Sequence, residues 1–247
     1  MVRRSLGWTF LALALGLGED FSDLASAALA DEPAHLEAQA AMAASEAKAR
    51  CAPALVKAGE ACKVDEFARV GAVSGHDFAY ALYEFSTAPD DPLPYRRVVI
   101  FEGLPAAMLR PILISGDDPA FLYDTPKILH AAGHAVLHIP ASEDGTGNFN
   151  REILYVWAQD GWRDVDVTSW LDQLGDYLPK GLGVQKGVYP DYAKMTAETP
   201  LWHDDDGGNC PNGGIARIDL QWRGDRIAIR RVRLRKSVGE CGEPPSQ

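Results

Sequence analysis

The residues with the clearest capacity for chemistry form an acidic loop, residues 203–209, just before Cys210. Its oxygen-bearing side chains are those of Asp204, Asp205, Asp206 and Asn209. Oxygen ligands clustered on a turn are what a calcium ion requires. An EF-hand does not fit, because Gly207 in the turn position would place Trp202 at the first ligand position. Two interpretations stay open, a calcium site of another type at these four side chains or a solvated acidic turn held by a disulfide, and we expect the second.

Three histidines, His130, His134 and His138, recur at every fourth position. On a helix this spacing would align them as metal ligands. The intervening Ala-Ala-Gly favours a turn between two strands, in which His134 and His138 share a strand face and His130 lies nearby. We therefore expect half-buried, hydrogen-bonding histidines, with a metal site as the alternative.

A further candidate is His76-Asp77, a general base next to a carboxylate that would orient it. The sequence contains no Gly-x-Ser-x-Gly elbow, phosphate-binding loop or dinucleotide fingerprint. His76 or the histidine series, with nearby carboxylates, is thus the basis for a hydrolase as an alternative function.

The chain has four cysteines, Cys51, Cys62, Cys210 and Cys241, and no Cys-x-x-Cys pair. Of three connectivities we choose Cys51 with Cys62 and Cys210 with Cys241, because each pair closes a local loop. A continuous helix would separate Cys51 from Cys62 by about 16 Å, whereas a disulfide needs α-carbons within about 7 Å. The chain must therefore turn back between them, near Pro53 or Gly59.

The first thirty residues have the features of a secretory signal peptide. Arg3 and Arg4 precede an apolar segment, residues 6–17, and Ala28-Leu29-Ala30 offers a cleavage site after Ala30, with Ala25-Ser26-Ala27 as a fallback. Cleavage after Ala30 would change the net charge from −11 to −10, because it removes two arginines and three acidic residues. We expect a periplasmic or secreted protein without a stable membrane anchor, and its acidity argues against nucleic acid as a partner.

The stretch that anchors the fold is residues 143–170. Residues 153–158 are apolar on both faces, which is typical of a strand buried on both sides. Asp160-Gly161 is the dipeptide favoured in a two-residue hairpin turn. Thr168 or Ser169 can then cap one short internal helix.

From residue 64 onward short apolar runs alternate with glycine, proline and aspartate. Strands are predicted at residues 67–73, 78–86, 96–102, 109–115, 127–130, 134–139, 152–158, 161–167, 184–188, 214–223 and 225–235. This pattern predicts a mainly β fold, an antiparallel β-sandwich or barrel-like body. The alanine-rich segment 31–63 predicts an N-terminal helical cap. The expected divisions are the signal peptide at 1–30, the helical segment at 31–63 and the β domain at 64–247.

The last predicted strand is basic and changes phase. Its basic residues are Arg226, Arg230, Arg231, Arg233, Arg235 and Lys236, which we expect to neutralise the acidic loop, with an anion-binding patch as the alternative. Ile227 and Ile229 have one parity, whereas Val232 and Leu234 have the other. A β-bulge near Arg230 and Arg231 is therefore predicted.

These observations predict an exported, disulfide-bonded binding protein whose ligand is a protein or other envelope component. A periplasmic hydrolase, metal-dependent or not, is the alternative. An enzyme should bring titratable groups together in a concave pocket, whereas a binding module should expose an apolar or aromatic patch.

Overall fold

The structure of the protein is a computed structural model that describes residues 33–36, 39–88, 94–116, 118–159, 161–207 and 210–236. The predicted signal peptide, Asn209 and Cys241 lie outside these residues. The described part is mainly β, with two short α-helices, α1 (Ala44–Ala47) and α2 (Ser169–Asp172).

Sixteen strands form the body. In chain order they are β1 (Ala34–His35), β2 (Met42–Ala43), β3 (Ala61–Val73), β4 (His76–Ser86), β5 (Tyr95–Leu104), β6 (Met108–Ile114), β7 (Phe121–Tyr123), β8 (Lys127–Ala131), β9 (His134–Ile139), β10 (Ala141–Glu143), β11 (Ile153–Ala158), β12 (Gly161–Val165), β13 (Leu182–Gly183), β14 (Thr196–His203), β15 (Gly214–Arg223) and β16 (Arg226–Arg235).

These strands pair into three larger sheets and one small one. Sheet A has the order β1-β6-β5-β4-β3, with β2 also paired to β6; sheet C has the order β12-β11-β9-β8; sheet D has the order β13-β14-β15-β16. Sheet B consists of β10 and β7 alone. All strand pairs in these sheets are antiparallel, as the sequence predicted.

Sheet C is buried on both faces, and β11 shows why. Leu154 packs in a hydrophobic cluster with Ile218 of sheet D. Its neighbour Tyr155 points the other way, into a cluster with Ile100 of sheet A. Because successive side chains of a strand point to opposite faces, an apolar run with no polar alternation supplies both clusters. The prediction that residues 153–158 form a strand buried on both sides is confirmed.

The hairpin between β11 and β12 turns one residue earlier than predicted. Ala158 pairs with Gly161, so the turn begins at Gln159, which has a φ of +51°. Moving a two-residue turn by one position shifts the pairing of the two strands by two residues, which leaves the same side chains on each face. Alternation in the sequence therefore cannot distinguish the predicted turn from the observed one. The observed register places Trp157 opposite Trp162, with ring centroids 5.1 Å apart.

The bulge predicted in the last hairpin is confirmed. Asp219 pairs with Arg231, whereas Leu220 pairs with Ile229, which leaves Arg230 as the extra residue. This change of phase lets Val232 pack against the same cluster that buries Ile229.

The helical cap predicted for residues 31–63 is not confirmed. Among the described residues of this segment, helix is limited to α1 and a 3-10 turn at Pro53–Leu55, whereas β1 and β2 pair with β6. A continuous helix of this sequence would have only a weak apolar stripe to bury. In the observed arrangement, β2 and α1 instead bury Met42 and Ala47 against sheet A.

The predicted disulfide between Cys51 and Cys62 is present, with the α-carbons 6.2 Å apart. It joins the loop after α1 to β3 and so fastens the N-terminal segment over the outer face of sheet A. The backbone N–H of Ala52 donates to the Tyr83 hydroxyl at 3.0 Å in the same cluster. Burial raises the pKa of Tyr83 to about 12, so this hydroxyl is uncharged at neutral pH. The Cys210–Cys241 pair includes a residue outside the described ones.

One predicted strand is wrong and six strands were missed. Residues 184–188 form no strand, because Asn150 holds Val188 by two hydrogen bonds in an irregular loop. The missed strands are β1, β2, β7, β10, β13 and β14. The longest of them, β14, contains Pro200, which favours edge strands. Pro200 lies where β14 pairs with β15 alone. The short internal helix is confirmed as α2, and no described helix has the length and apolar character to cross a bilayer.

The double burial of sheet C predicts a large cost for truncating β11. Leu154 is 1% exposed, so Leu154→Ala should lower the free energy of unfolding by about 2–5 kcal/mol, through lost burial and the cavity left behind. Leu234→Ala, at a site 45% exposed, is the matched control and should change it by less than about 1 kcal/mol. Urea denaturation measures both, and equal losses would contradict the layered core.

Candidate functional site

An open cleft of about 800 Å³ lies where β11 begins and β12 ends. Its acidic lining residues are Asp118, Glu152, Asp164, Asp166 and Asp225. Arg151 is the one basic residue among the described residues that line it, and its guanidinium is paired with Glu143. We call this the acidic cleft. Because β12 is an edge strand of sheet C, the chain after Val165 is free to turn away and open the cleft.

A buried polar network lies at the floor of the cleft. Glu152 is only 8% exposed and binds three side chains. His138 Nε2 is 3.1 Å from its Oε2, and the Tyr192 hydroxyl donates to Oε1 at 2.8 Å, as does Asn150 Nδ2 at 3.2 Å. A buried carboxyl group is tolerated when its oxygens are satisfied in this way.

Asn150 also connects the network to the loop 184–192. Its Nδ2 donates to Val188 O at 2.5 Å, and its Oδ1 accepts from Val188 N at 2.6 Å. The side-chain amide of Asn150 thus makes the two backbone hydrogen bonds that a neighbouring strand would otherwise make with Val188, a buried residue. This bridge holds the loop against the start of β11 and shapes one wall of the cleft.

The network is suited to hold structure more than to transfer protons. The pKa of Tyr192 lies well above its ordinary value, because burial disfavours the phenolate and the nearby Glu152 repels it, so the hydroxyl stays a donor. His138 is 6% exposed, and its Nδ1 has no hydrogen-bond partner among the described residues. A general base needs to reach its substrate, and these groups lie beneath the surface.

Two acids of the cleft shape turns. Asp166 accepts from the backbone N–H groups of Thr168 and Ser169, both at 3.0 Å, just before α2, whose N-cap residue Thr168 makes no side-chain capping hydrogen bond. Burial acts to raise the pKa of Asp166, but the hydrogen bonds from Ser169 and Thr168 outweigh it and lower that pKa. Asp118 accepts from Ala120 N at 2.8 Å. The hydrogen bonds to Asp166 favour its charged carboxylate.

The remaining acids are open to a ligand. Asp164 has a side chain 67% exposed, and its Oδ2 lies 3.1 Å from His35 Nε2. Asp225 is exposed in the turn between β15 and β16, and its backbone oxygen accepts from Asp166 N at 2.9 Å. The cleft therefore presents negative charge at its mouth.

An apolar rim borders the cleft. It consists of Leu122, Phe149 and Tyr189, each nearly half exposed. Leu122 follows Phe121, a cleft residue that lies under the Arg151 guanidinium at 5.3 Å. Leu122 is opposite Ser142 in sheet B, and the Tyr189 hydroxyl donates to Asn148 O beside Phe149. Three large apolar side chains are thus exposed on the segments that flank the cleft, with Leu122 on the opposite face of β7 from Phe121.

The acidic loop predicted from the sequence is not part of this site. Asp206 accepts from His203 N at 2.8 Å and Asn212 N at 2.9 Å, so its carboxylate holds the turn. Asp204 and Asp205 are exposed, or partly so, and Asn209 lies outside the described residues. In the part of the chain that the structure describes, no three His, Cys, Asp or Glu residues are grouped to hold a metal ion. The calcium site stays a prediction.

The histidine series does not converge. His130 is opposite Ala135 and shares its face of sheet C, whereas His134 and His138 point to the other face. His134 stacks on Trp222 at 5.0 Å, and His138 belongs to the Glu152 network. Only His138 is a hydrogen-bonding histidine as expected, and it is buried, whereas His130 and His134 are exposed instead of half-buried.

The pairing of His76 with Asp77 is wrong, because adjacent residues on a strand point to opposite faces. Asp77 binds Arg69 at 2.5 Å, and His76 Nδ1 is 2.7 Å from Glu102 Oε1 on the neighbouring strand. The arginines of β16 also differ from expectation. Arg233 binds Asp219 of β15 and Arg235 binds Glu198 of β14, so both partners lie in sheet D and neither lies in the acidic loop.

Sequence reasoning missed the residues of the cleft and its network. The chemistry of Glu152 depends on His138 and Tyr192, which lie 14 and 40 residues away. No local spacing signals such a set. Asp166 alone carried a local signal, because an aspartate side chain commonly accepts from backbone N–H groups two or three residues further along the chain.

No protein-family model, curated protein or solved structure matches this chain. Its function has to follow from the geometry of the cleft and its rim.

The buried network yields a stability prediction. Tyr192→Phe removes the hydroxyl that donates to Glu152 and should lower the free energy of unfolding by about 1–3 kcal/mol, because a buried acceptor loses a donor. Tyr177→Phe, at a residue 47% exposed, is the control and should change it by less than about 0.5 kcal/mol. Urea denaturation compares the two variants. A Tyr192→Phe protein as stable as the unmodified protein would show that Glu152 does not depend on this contact.

Proposed function

We propose that the protein is an exported binding protein, periplasmic or secreted, and that its ligand is a basic segment of an envelope component. The observation that carries this proposal is the apolar rim beside the acidic cleft. A segment with lysine or arginine and neighbouring apolar side chains matches both features at once.

The electrostatics favour a cationic ligand. The cleft combines five acidic side chains with one arginine that is already paired with Glu143. Clefts lined by one sign of charge concentrate the opposite charge and speed association. Its volume of about 800 Å³ lies in the usual range of ligand sites.

The rim supplies the apolar contact. Aromatic side chains that are both exposed and adjacent commonly mark interaction sites, because they offer a large contact area at a small entropic cost. Phe149 is 48% exposed and Tyr189 is 46% exposed, while the hydrogen bond from Tyr189 to Asn148 O holds its ring in place.

The alternative function, a hydrolase, has one observation in its favour. Glu102 holds His76 at 2.7 Å, as an orienting carboxylate holds a general base. Among the described residues no serine, threonine or cysteine hydrogen bonds to His76, so a water molecule would have to serve as the nucleophile. The binding function requires no such additional group.

Export is supported by the sequence and by the disulfide. The Cys51–Cys62 bond is compatible with an oxidising compartment. We propose that residues 1–30 are a signal peptide, that residues 31–63 form a stapled cover, and that residues 64–247 form a sandwich-like β domain that holds the cleft rigid.

Export can be tested in a bacterial host that expresses the full chain. We expect the protein in the periplasm or medium, with its first residue at Asp31 and every cysteine oxidised, as measured by intact-mass analysis before and after reduction. A protein that keeps Met1 and free thiols in the cytoplasm would contradict export.

Binding can be tested with a labelled peptide of alternating lysine and leucine residues. The Asp164→Asn/Asp225→Asn variant should bind it roughly fivefold to tenfold more weakly, because each exposed ion pair is worth up to about 1 kcal/mol. Fluorescence anisotropy at low salt measures the change. Asp204→Asn/Asp205→Asn removes the same charge from the acidic loop and should leave the affinity unchanged.

The rim has its own test with the same peptide. Phe149→Ser should weaken binding, whereas Tyr177→Ser, at an equally exposed aromatic residue elsewhere, should not. If both pairs of variants bind alike, the ligand does not occupy the cleft, and the proposal fails.

A further inference from the structure

A second concave site lies at the opposite border of the layer between sheets A and C. It is a crevice of about 330 Å³ lined by Phe78, Glu102, Arg110, Trp157 and Trp162, among others. We call it the aromatic crevice. Trp157 and Trp162 from the β11–β12 hairpin face Phe78 of β4, with ring centroids 5.6 Å and 5.2 Å from it. None of these residues lines the acidic cleft.

The floor of the crevice is polar. Phe78, Glu102 and Arg110 occupy one row across β4, β5 and β6, so their side chains share the face that meets sheet C. Arg110 donates to Glu102 Oε2 at 2.5 Å, and His76 Nδ1 is 2.7 Å from Oε1. Burial acts to raise the pKa of Glu102, but the hydrogen bonds from Arg110 and His76 outweigh it and keep that pKa below its ordinary value. Glu102 is therefore a carboxylate whose charge Arg110 balances.

Two donors in this crevice lack acceptors. Arg110 Nε and Trp162 Nε1 are buried and have no hydrogen-bond partner among the described residues. Trp162 as a whole is only 5% exposed. Leaving a buried donor without an acceptor is unfavourable, and most native proteins avoid it. Both donors belong to residues that line this concavity, and an acceptor-rich group bound there would satisfy them.

The walls indicate what carries that group. Trp157 is half-buried, and its ring lies against His76 at 5.1 Å and against Trp162 at 5.1 Å, so a rigid aromatic surface faces the opening. Such a surface favours a planar or apolar body. Arginine, in turn, is the side chain best suited to a carboxylate, because its N–H groups form a planar fork.

We infer that the aromatic crevice binds a small organic carboxylate, whose oxygens accept from Arg110 Nε and Trp162 Nε1 and whose apolar body packs on Trp157. This site is independent of the proposed binding of a basic segment in the acidic cleft. It gives the protein a second ligand of opposite charge.

The probe for the test is 3-phenylpropionate, titrated into the full, isotopically labelled protein. The readout is the indole N–H region of the nitrogen–proton correlation spectrum, in which Trp162→Phe identifies the Trp162 signal. We expect that signal to shift downfield in a saturable manner. Acetate, which lacks the apolar body, and 3-phenylpropanamide, which lacks the charge, should each bind at least tenfold more weakly.

Arg110→Gln should weaken binding of 3-phenylpropionate roughly tenfold, the effect typical of one lost charge-assisted hydrogen bond. Arg110→Lys keeps a positive charge next to Glu102 but lacks the planar set of guanidinium N–H groups. This variant replaces Arg110→Gln in the test if Arg110→Gln does not fold. Arg217→Gln, on sheet D, is the matched control.

Three results would overturn the inference: a Trp162 signal that does not move, equal affinity for the amide and the carboxylate, or an Arg110→Lys protein that binds as tightly as the unmodified one. Loss of peptide binding in the cleft variants has no bearing on this outcome, since those substitutions leave the crevice unchanged.

Discussion

The structure depends on one constraint, which is that sheet C is covered on both faces. Strand β11 sends Leu154 and Val156 into one hydrophobic cluster and Tyr155 into another. Sheets A and D must therefore lie on either side of it. Apolar burial is non-directional, but a strand with two apolar faces leaves no arrangement in which one side faces water.

Both concave sites lie where this layered packing ends. The acidic cleft begins at Asp164 and Asp166, where β12 leaves sheet C, and the aromatic crevice is lined by Trp157 and Trp162 at the other end of the same hairpin. Sheets twist, so facing sheets separate towards their margins. Side chains there keep one end in the core and the other near solvent, which is the arrangement that binding requires.

The two sites handle charge in different ways. In the cleft, the buried carboxyl group of Glu152 is satisfied by Tyr192, Asn150 and His138, while the exposed acids remain available. In the crevice, Glu102 and Arg110 balance each other, and the unpaired donors remain on the cationic side. Buried polar groups thus fix the shape of each site, and the groups left over set the charge that each site presents.

The sequence by itself determined the features that depend on local pattern. These are the antiparallel strands, the double burial of β11, the bulge at Arg230 and the short helix α2, together with the pairing of Cys51 and Cys62. Periodicity, capping and loop closure are local or nearly so, and a single sequence displays them. Only the tertiary structure decided the turn at Gln159, the strand pairing of the alanine-rich segment, and the partners of His76 and Glu152. Each of these depends on contacts with residues that are distant in the sequence. Moving a turn by one residue, or pairing a histidine with a carboxylate on another strand, leaves the local sequence pattern unchanged.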